Sequence, residues 1–173
     1  YEIKTTDIKG FIQQSLDMFG RTKKEIRIHK KLNEPPPVAV ADRRQIEQVL
    51  LNLYINAWQA MPRGGELYLE TSVVQLDRAE CKPYSIQPGK YVKFSLRDSG
   101  TGMDEKSRER VFDPFFTTKT QGTGLCLAIC RQLVEQQGGT LDIKSRVGEG
   151  TRVLIHLPID PDSVPVNSED KRA

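Results

Sequence analysis

Residues Leu50–Met61 read LLNLYINAWQAM, an apolar run broken only by Asn52, Asn56 and Gln59. Wound at about 100° per residue, Ile46, Val49, Leu50, Leu53, Ala57 and Ala60 share one face of a helix. Tyr54, Trp58, Leu51 and Ile55 fill most of the remaining circumference. The polar residues Gln48, Asn52, Asn56 and Gln59 gather in a stripe roughly 80° wide. A helix this apolar is expected to be buried, and a buried amide without a partner costs about 1–3 kcal/mol. The stripe therefore needs something polar to face.

Outward from this run, Asp42 with Gln45 three residues later reads as a capping box that opens the helix. Pro62 and Gly64-Gly65 close it near Met61. Upstream, residues 7–19 place Ile8, Phe11, Ile12, Leu16 and Phe19 on one helical face, with Thr6 or Asp7 as N-cap. Ile26 and Ile28 alternate with charges as in a short strand. Residues 33–37, NEPPP, form a turn, and Val38–Val40 a second strand. Downstream, Glu66–Val74 reads as a strand, followed by a polar, irregular connection to about Lys90. Tyr91–Leu96 alternates again, with Val92, Phe94 and Leu96 on one side. Residues 104–112 suggest a short helical segment, and Leu125–Gln137 a helix closed by Gly138-Gly139. Thr140–Ser145 and Thr151–Leu157 pair as a hairpin. Interleaved helices and strands ending in a hairpin give an α/β (α+β) class, a two-layer α/β sandwich with a mixed sheet packed against helices. The expected domain spans residues 1–158. Residues 159–173, rich in Pro, Asp and Ser with little to bury, are expected to be a disordered tail.

Composition sets the class. At 173 residues with 37% hydrophobic and 28% charged, the chain is one ordinary domain able to bury about 70% of its unfolded surface. No run approaches the roughly 18 apolar residues of a membrane helix. A net charge of +3 with scattered basic residues argues against a nucleic-acid surface. Three cysteines, Cys81, Cys126 and Cys130, make no disulfide framework and favour a reducing, cytoplasmic compartment. Cys126 and Cys130, one turn apart, are read as small core residues rather than half a metal site. The opening Tyr1 suggests a piece of a longer protein.

Two glycine-rich segments sit at element boundaries. DSGTGM (98–103) follows a strand, where glycines let backbone approach a neighbour closely. GTGL (122–125) precedes a helix, whose exposed N–H groups and positive dipole end suit an anion. Taken in order, NxxxNA, DxGxG, FDPFF and GTGL resemble the ATP-binding domain of sensor histidine kinases. That domain shares its superfamily (GHKL, the Bergerat fold) with gyrase, heat-shock chaperone ATPases and mismatch-repair ATPases. The likeness runs from about Asp42 to Leu157, and the short segment between Phe116 and Gly122 looks most like the nitrogen-regulation type.

The resemblance assigns the amide stripe a partner. It implies ATP and Mg²⁺ as cofactors, with Asn56 as the metal ligand, a hard oxygen donor used alongside phosphates and water. Asn52 occupies the place where hydrolysing relatives carry a water-activating glutamate; as an amide it cannot be a general base, which suits phosphoryl transfer, and it is the catalytic candidate. Asp98 would accept the adenine amine and so reject guanine. Gly100, Gly102 and Met103 would curve the chain around the base, and Thr151 would support the adenine contact through water. Phe112, Phe115 and Phe116 would hinge a lid containing Thr117, Thr118 and Lys119. Gly122, Thr123, Gly124 and Leu125 would bring backbone amides to the phosphates. Two departures stand out: Cys126 replaces the usual second glycine of GLGL, and Gln59 lies near a usual basic phosphate contact.

Neither His29 nor His156 has the setting of a phosphoacceptor. The implied partner is an upstream dimerisation domain carrying that histidine, with a response-regulator receiver domain engaged indirectly. The fragment is expected to be monomeric and its parent homodimeric. Three alternatives share the fold: an ATP-sensing scaffold without transfer, a serine kinase of the anti-sigma-factor type, and a hydrolysing clamp.

Overall fold

The structure, a computed structural model, describes residues 4–32, 38–114 and 126–159. Strand β1 (Lys4–Asp7) runs directly into helix α1 (Ile8–Thr22), followed by β2 (Ile26–Lys31), β3 (Val38–Ala41) and α2 (Arg43–Gln59). Then come β4 (Gly65–Leu76), the short α3 (Arg78–Cys81), β5 (Gly89–Asp98), α4 (Glu105–Arg110), α5 (Cys126–Gln136), β6 (Thr140–Arg146) and β7 (Gly150–Pro158). Five strands form one sheet in the order β2-β4-β5-β7-β6. The β2–β4 pair is parallel and the others are antiparallel, so the sheet is mixed as expected. β1 and β3 form a separate antiparallel ribbon, joined to the body where Ala39 bridges Ile159.

Period-two alternation explains which face of the sheet is covered. Leu67 and Leu69 of β4, Val92, Phe94 and Leu96 of β5, and Val153, Ile155 and Leu157 of β7 are all buried. Register stacks them into rows: Leu96 lies between Leu69 and Val153, and Phe94 between Thr71 and Ile155. Against this face pack Ile12, Leu16 and Phe19 of α1, Ile46, Val49, Leu50, Leu53, Tyr54 and Ala57 of α2, and Cys130 and Val134 of α5. Each such aliphatic or aromatic side chain contributes about 1.5–3 kcal/mol by leaving water. Cys130 is a core residue, as expected, whereas the side chain of Cys126 lies outside the described residues.

Four details differ from the reading of the sequence. First, α2 is not buried all round: Leu51 is 52% and Ile55 37% exposed. The helix lies in an outer layer, with the sheet on one side only, so its burial ends beside the amide stripe. Second, the capping box of α2 is completed by a distant residue. Asp42 Oδ1 accepts from the Arg44 and Gln45 amides at 3.0 and 3.3 Å. Its own N–H, however, donates to Gln137 Oε1 at 2.7 Å rather than to Gln45. Gln137 Nε2 then donates to Gln45 Oε1 and to the Leu133 carbonyl, both at 3.1 Å.

Third, the connection after β4 contains α3, opened by a capping box of Asp77 and Glu80. Fourth, β1 lacks alternation and was not expected; Asp7, proposed as an N-cap, is its last residue. At the other end, Ile159 is buried and its N–H donates to the Lys90 carbonyl, so the core reaches one residue past Pro158. The turn at 33–37 and the tail from residue 160 lie outside the described residues.

Candidate functional site

The DSGTGM segment and Thr151 come together where the ends of β5, β6 and β7 meet the C-terminal end of α2. Asp98 closes β5 and is buried. Its Oδ1 accepts from the Gly100 N–H at 2.9 Å and the Thr151 N–H at 3.3 Å. Two backbone donors on one oxygen fix the plane of the carboxylate, so the side chain is held as a fixed acceptor rather than a mobile charge.

The loop after Asp98 is anchored on both sides. On one side the Thr101 N–H donates to the Ala60 carbonyl at 3.1 Å, the cap of α2. A Cβ on Gly100 would meet that carbonyl oxygen at 2.5 Å. On the other side the Gly148 N–H donates to the Thr101 carbonyl at 2.8 Å. Gly102 has φ +68°, and a Cβ there would lie 1.9 Å from the Arg146 carbonyl oxygen. Both glycines therefore have a packing reason of their own. They let a short loop bridge a helix end and a hairpin turn, which fixes the mouth of the site.

Met103 donates its N–H to Ser145 Oγ at 2.8 Å. Ser145 Oγ in turn donates to the Gly150 carbonyl at 3.1 Å and lies 2.8 Å from Thr151 Oγ1. Ser145 is a functional candidate that motif reading missed. The available signal was the hairpin register, which sets Ser145 opposite Thr151, because cross-strand hydroxyl pairs hydrogen-bond.

The amide stripe starts beside this loop. Asn56 is half-buried, and its carbonyl accepts from the Ala60 N–H at 3.0 Å, one turn before the Thr101 contact. Asn52 lies a further turn back, about 6 Å along the axis. Its Nδ2 approaches Cys130 Sγ of α5 at 3.8 Å. A weak N–H···S contact of this kind turns the amide nitrogen toward α5 and the carbonyl oxygen away from it. Gln48 and Gln59 are exposed. Phe112 is half-buried, packs on the core, and carries the Arg131 guanidinium 4.3 Å over its ring, so the start of the FDPFF segment is tied to α5.

Phe115, Phe116, Thr117, Thr118, Lys119, Gly122, Thr123, Gly124 and Leu125 lie outside the described residues. Among the described residues no group of three or more His, Cys, Asp or Glu could hold a metal, and no helix is long and apolar enough to cross a membrane. The arrangement thus offers a fixed carboxylate beside a hydroxyl pair at one end of a helix, with the amides of Asn56 and Asn52 further back along that helix.

The family model for the histidine kinase-, DNA gyrase B- and HSP90-like ATPases matches residues 41–161. The sensor histidine kinase ZraS of Escherichia coli O157:H7 is 35% identical over 160 residues, covering 91% of this chain and 32% of that protein. The chain thus spans about a third of the curated relative's length. The catalytic domain of histidine kinase ThkA, nucleotide-free, aligns with a TM-score of 0.77 and 28% identity, covering 95% of this chain and all of that one. Full-length ShkA in complex with AMPPNP aligns with a TM-score of 0.75 and 26% identity, covering 95% of this chain and 33% of that one. Matched over residues 41–161 of its 173, this chain belongs to the histidine kinase-, DNA gyrase B- and HSP90-like ATPase family.

Proposed function

We propose that this chain is the ATP-binding catalytic domain of a sensor histidine kinase, and that it donates the γ-phosphoryl group to a histidine on a dimerisation domain of the same protein. The single observation that carries the reading is Asp98: a buried carboxylate whose orientation is fixed by the Gly100 and Thr151 amides. A carboxylate held this way accepts from the exocyclic amine of adenine, whereas the carbonyl oxygen of guanine would face it acceptor to acceptor. Thr151 supports the same contact, and Gly100, Gly102 and Met103 shape the loop around the base.

The donor set fits Mg²⁺ brought in with the nucleotide. The helix offers Asn56 as one hard oxygen, with no carboxylate cage among the described residues, and Mg²⁺ takes one or two protein oxygens alongside phosphates and waters. When bound, the ion would neutralise charge on the phosphates. Asn52, oriented by Cys130, carries no group able to abstract a proton from water at neutral pH. That favours transfer to a nucleophile supplied by another domain over hydrolysis. The rest of the proposed machinery would be a lid hinged at Phe112, Phe115 and Phe116, with Thr117, Thr118 and Lys119 within it and the amides of Gly122, Thr123, Gly124 and Leu125 brought to the phosphates; of these residues only Phe112 lies among the described ones. A response-regulator receiver domain would take the phosphoryl group from the histidine, and the parent protein would be a cytoplasmic or membrane-attached homodimer.

The test is calorimetric titration with ATP and GTP, with and without Mg²⁺. We expect ATP to bind in a Mg²⁺-sensitive manner and GTP to fail. Asp98→Asn should weaken ATP by roughly 10- to 100-fold, the loss of one charge-assisted hydrogen bond. Restoring the upstream segment should then yield acid-labile phosphate on a histidine. Steady release of inorganic phosphate, or phosphoserine on a separate protein, would replace this reading with a hydrolase or an anti-sigma-type kinase.

A further inference from the structure

We infer that Ser145 is a positioning residue that sets base specificity through Thr151, by making the Thr151 hydroxyl an acceptor only. The inference rests on the reading of the Asp98 end as an adenine site. Ser145 is buried, 7% exposed, and its hydroxyl has three polar neighbours. The Met103 N–H lies at 2.8 Å, the Gly150 carbonyl at 3.1 Å and Thr151 Oγ1 at 2.8 Å.

A serine hydroxyl has one proton and two lone pairs. The Met103 N–H takes one lone pair, and the Gly150 carbonyl, which can only accept, takes the proton. The contact with Thr151 therefore has Thr151 as donor and Ser145 as acceptor. Thr151 has then used its single proton and turns only lone pairs toward the ligand side. Its own backbone N–H is committed to Asp98 Oδ1. Asp98 and Thr151 together present acceptors alone.

That pair matches a purine bearing an amine at position 6, or a water held by it. It opposes a 6-oxo purine, which brings an acceptor to the same place. A site rejects the wrong group most strongly when polar atoms are left unpaired. If Ser145 were removed, the Thr151 proton could rotate outward and donate to a 6-oxo group. Selectivity would fall without any change in the residues that touch the base.

Inosine triphosphate is the suitable probe, since it differs from ATP only at positions 6 and 1 of the base. Competition titration of wild type, Ser145→Ala, Ser145→Thr, Thr151→Val and the double variant Ser145→Ala/Thr151→Val would read the preference for ATP over inosine triphosphate. We expect Ser145→Ala to lower that preference about 10-fold, chiefly by tighter inosine triphosphate, with Ser145→Thr retaining it. In the Thr151→Val background the Ser145→Ala change should have no further effect on the preference. A merely structural role would weaken both nucleotides together and leave their ratio unmoved. An unchanged ratio in Ser145→Ala, or additive effects in the double variant, overturns the inference while leaving the adenine site standing. Failure of wild type to bind ATP overturns the site itself and the inference with it. Should Ser145→Ala not fold, Ser145→Cys keeps the volume with a weaker donor and is held to the same outcomes.

Discussion

Two glycines show what a motif does and does not disclose. The DSGTGM signature marks Gly100 and Gly102 as positions a ligand approaches. In the structure each is already required by a neighbouring carbonyl, that of Ala60 or that of Arg146. A test at this scale compares Gly102→Ala with Gly148→Ala. Both have positive φ, +68° and +78°, but only Gly102 faces a backbone atom, at 1.9 Å; Gly148 has nothing within 4 Å. Left-handed strain alone should cost about 1 kcal/mol at Gly148. Strain plus an immovable carbonyl should cost about 2–4 kcal/mol at Gly102, lowering Tm by roughly 5–15 °C. Thermal unfolding of the two variants decides it, and equal losses would refute the packing role of Gly102. The family resemblance singles out Asp98 and Thr151 from their motifs, and the structure brings the two into contact. Ser145 was not legible in the sequence, because its importance comes from a hairpin register that only pairing reveals.

Among the elements, the strong hydrophobic periods of α2, β5 and β7 made those segments readable, and the hairpin followed from its turn residues. Two features resisted for the same physical reason: their partners are remote in sequence. β1 is four residues that pair with β3, and nothing in KTTD alternates. The cap of α2 looked local, Asp42 with Gln45, yet its second half comes from Gln137, 95 residues away. The sequence offers a sufficient local answer, and the fold uses a longer one that also locks α5 to α2. The consequence is measurable. Gln137→Ala should remove the acceptor of a buried N–H and the donor to Gln45 together, costing about 1–3 kcal/mol. Gln45→Ala should cost under about 1 kcal/mol, because Asp42 keeps its own acceptor. Urea unfolding would rank the two. A larger loss at Gln45 would show that the box is local after all.

At the scale of the whole molecule, stability should depend on pH through Tyr54, which joins α1 to α2 beneath the sheet. Its ring packs on Phe19 with centroids 5.5 Å apart, and its hydroxyl meets Ser15 Oγ at 3.0 Å. Burial pushes its pKa up to about 12, against the smaller lowering effect of the Ser15 contact. A raised folded pKa means that the neutral form is favoured in the native state. The stabilisation is therefore complete below the unfolded value near 10 and is lost as pH rises from about 10 to 12. Two pH units correspond to about 2–3 kcal/mol. Tyr68, Tyr84 and Tyr91 are raised as well, Tyr68 and Tyr84 mainly by hydrogen bonds to Glu66 and Asp142 and Tyr91 by burial, so they add to the same alkaline limb. The acid limb has other owners: Glu25, Glu66 and Asp104 are lowered by hydrogen bonds, and their contribution is lost as pH falls below the usual carboxylate range. Tyr54→Phe separates the two. It keeps the core volume, forfeits about 1 kcal/mol at neutral pH with the Ser15 bond, and should flatten the fall in unfolding free energy between pH 10 and 11.5 while leaving the acid limb unchanged. If urea unfolding across that range is as steep in Tyr54→Phe as in wild type, the alkaline sensitivity belongs to the peripheral tyrosines and not to the joint between the two helices.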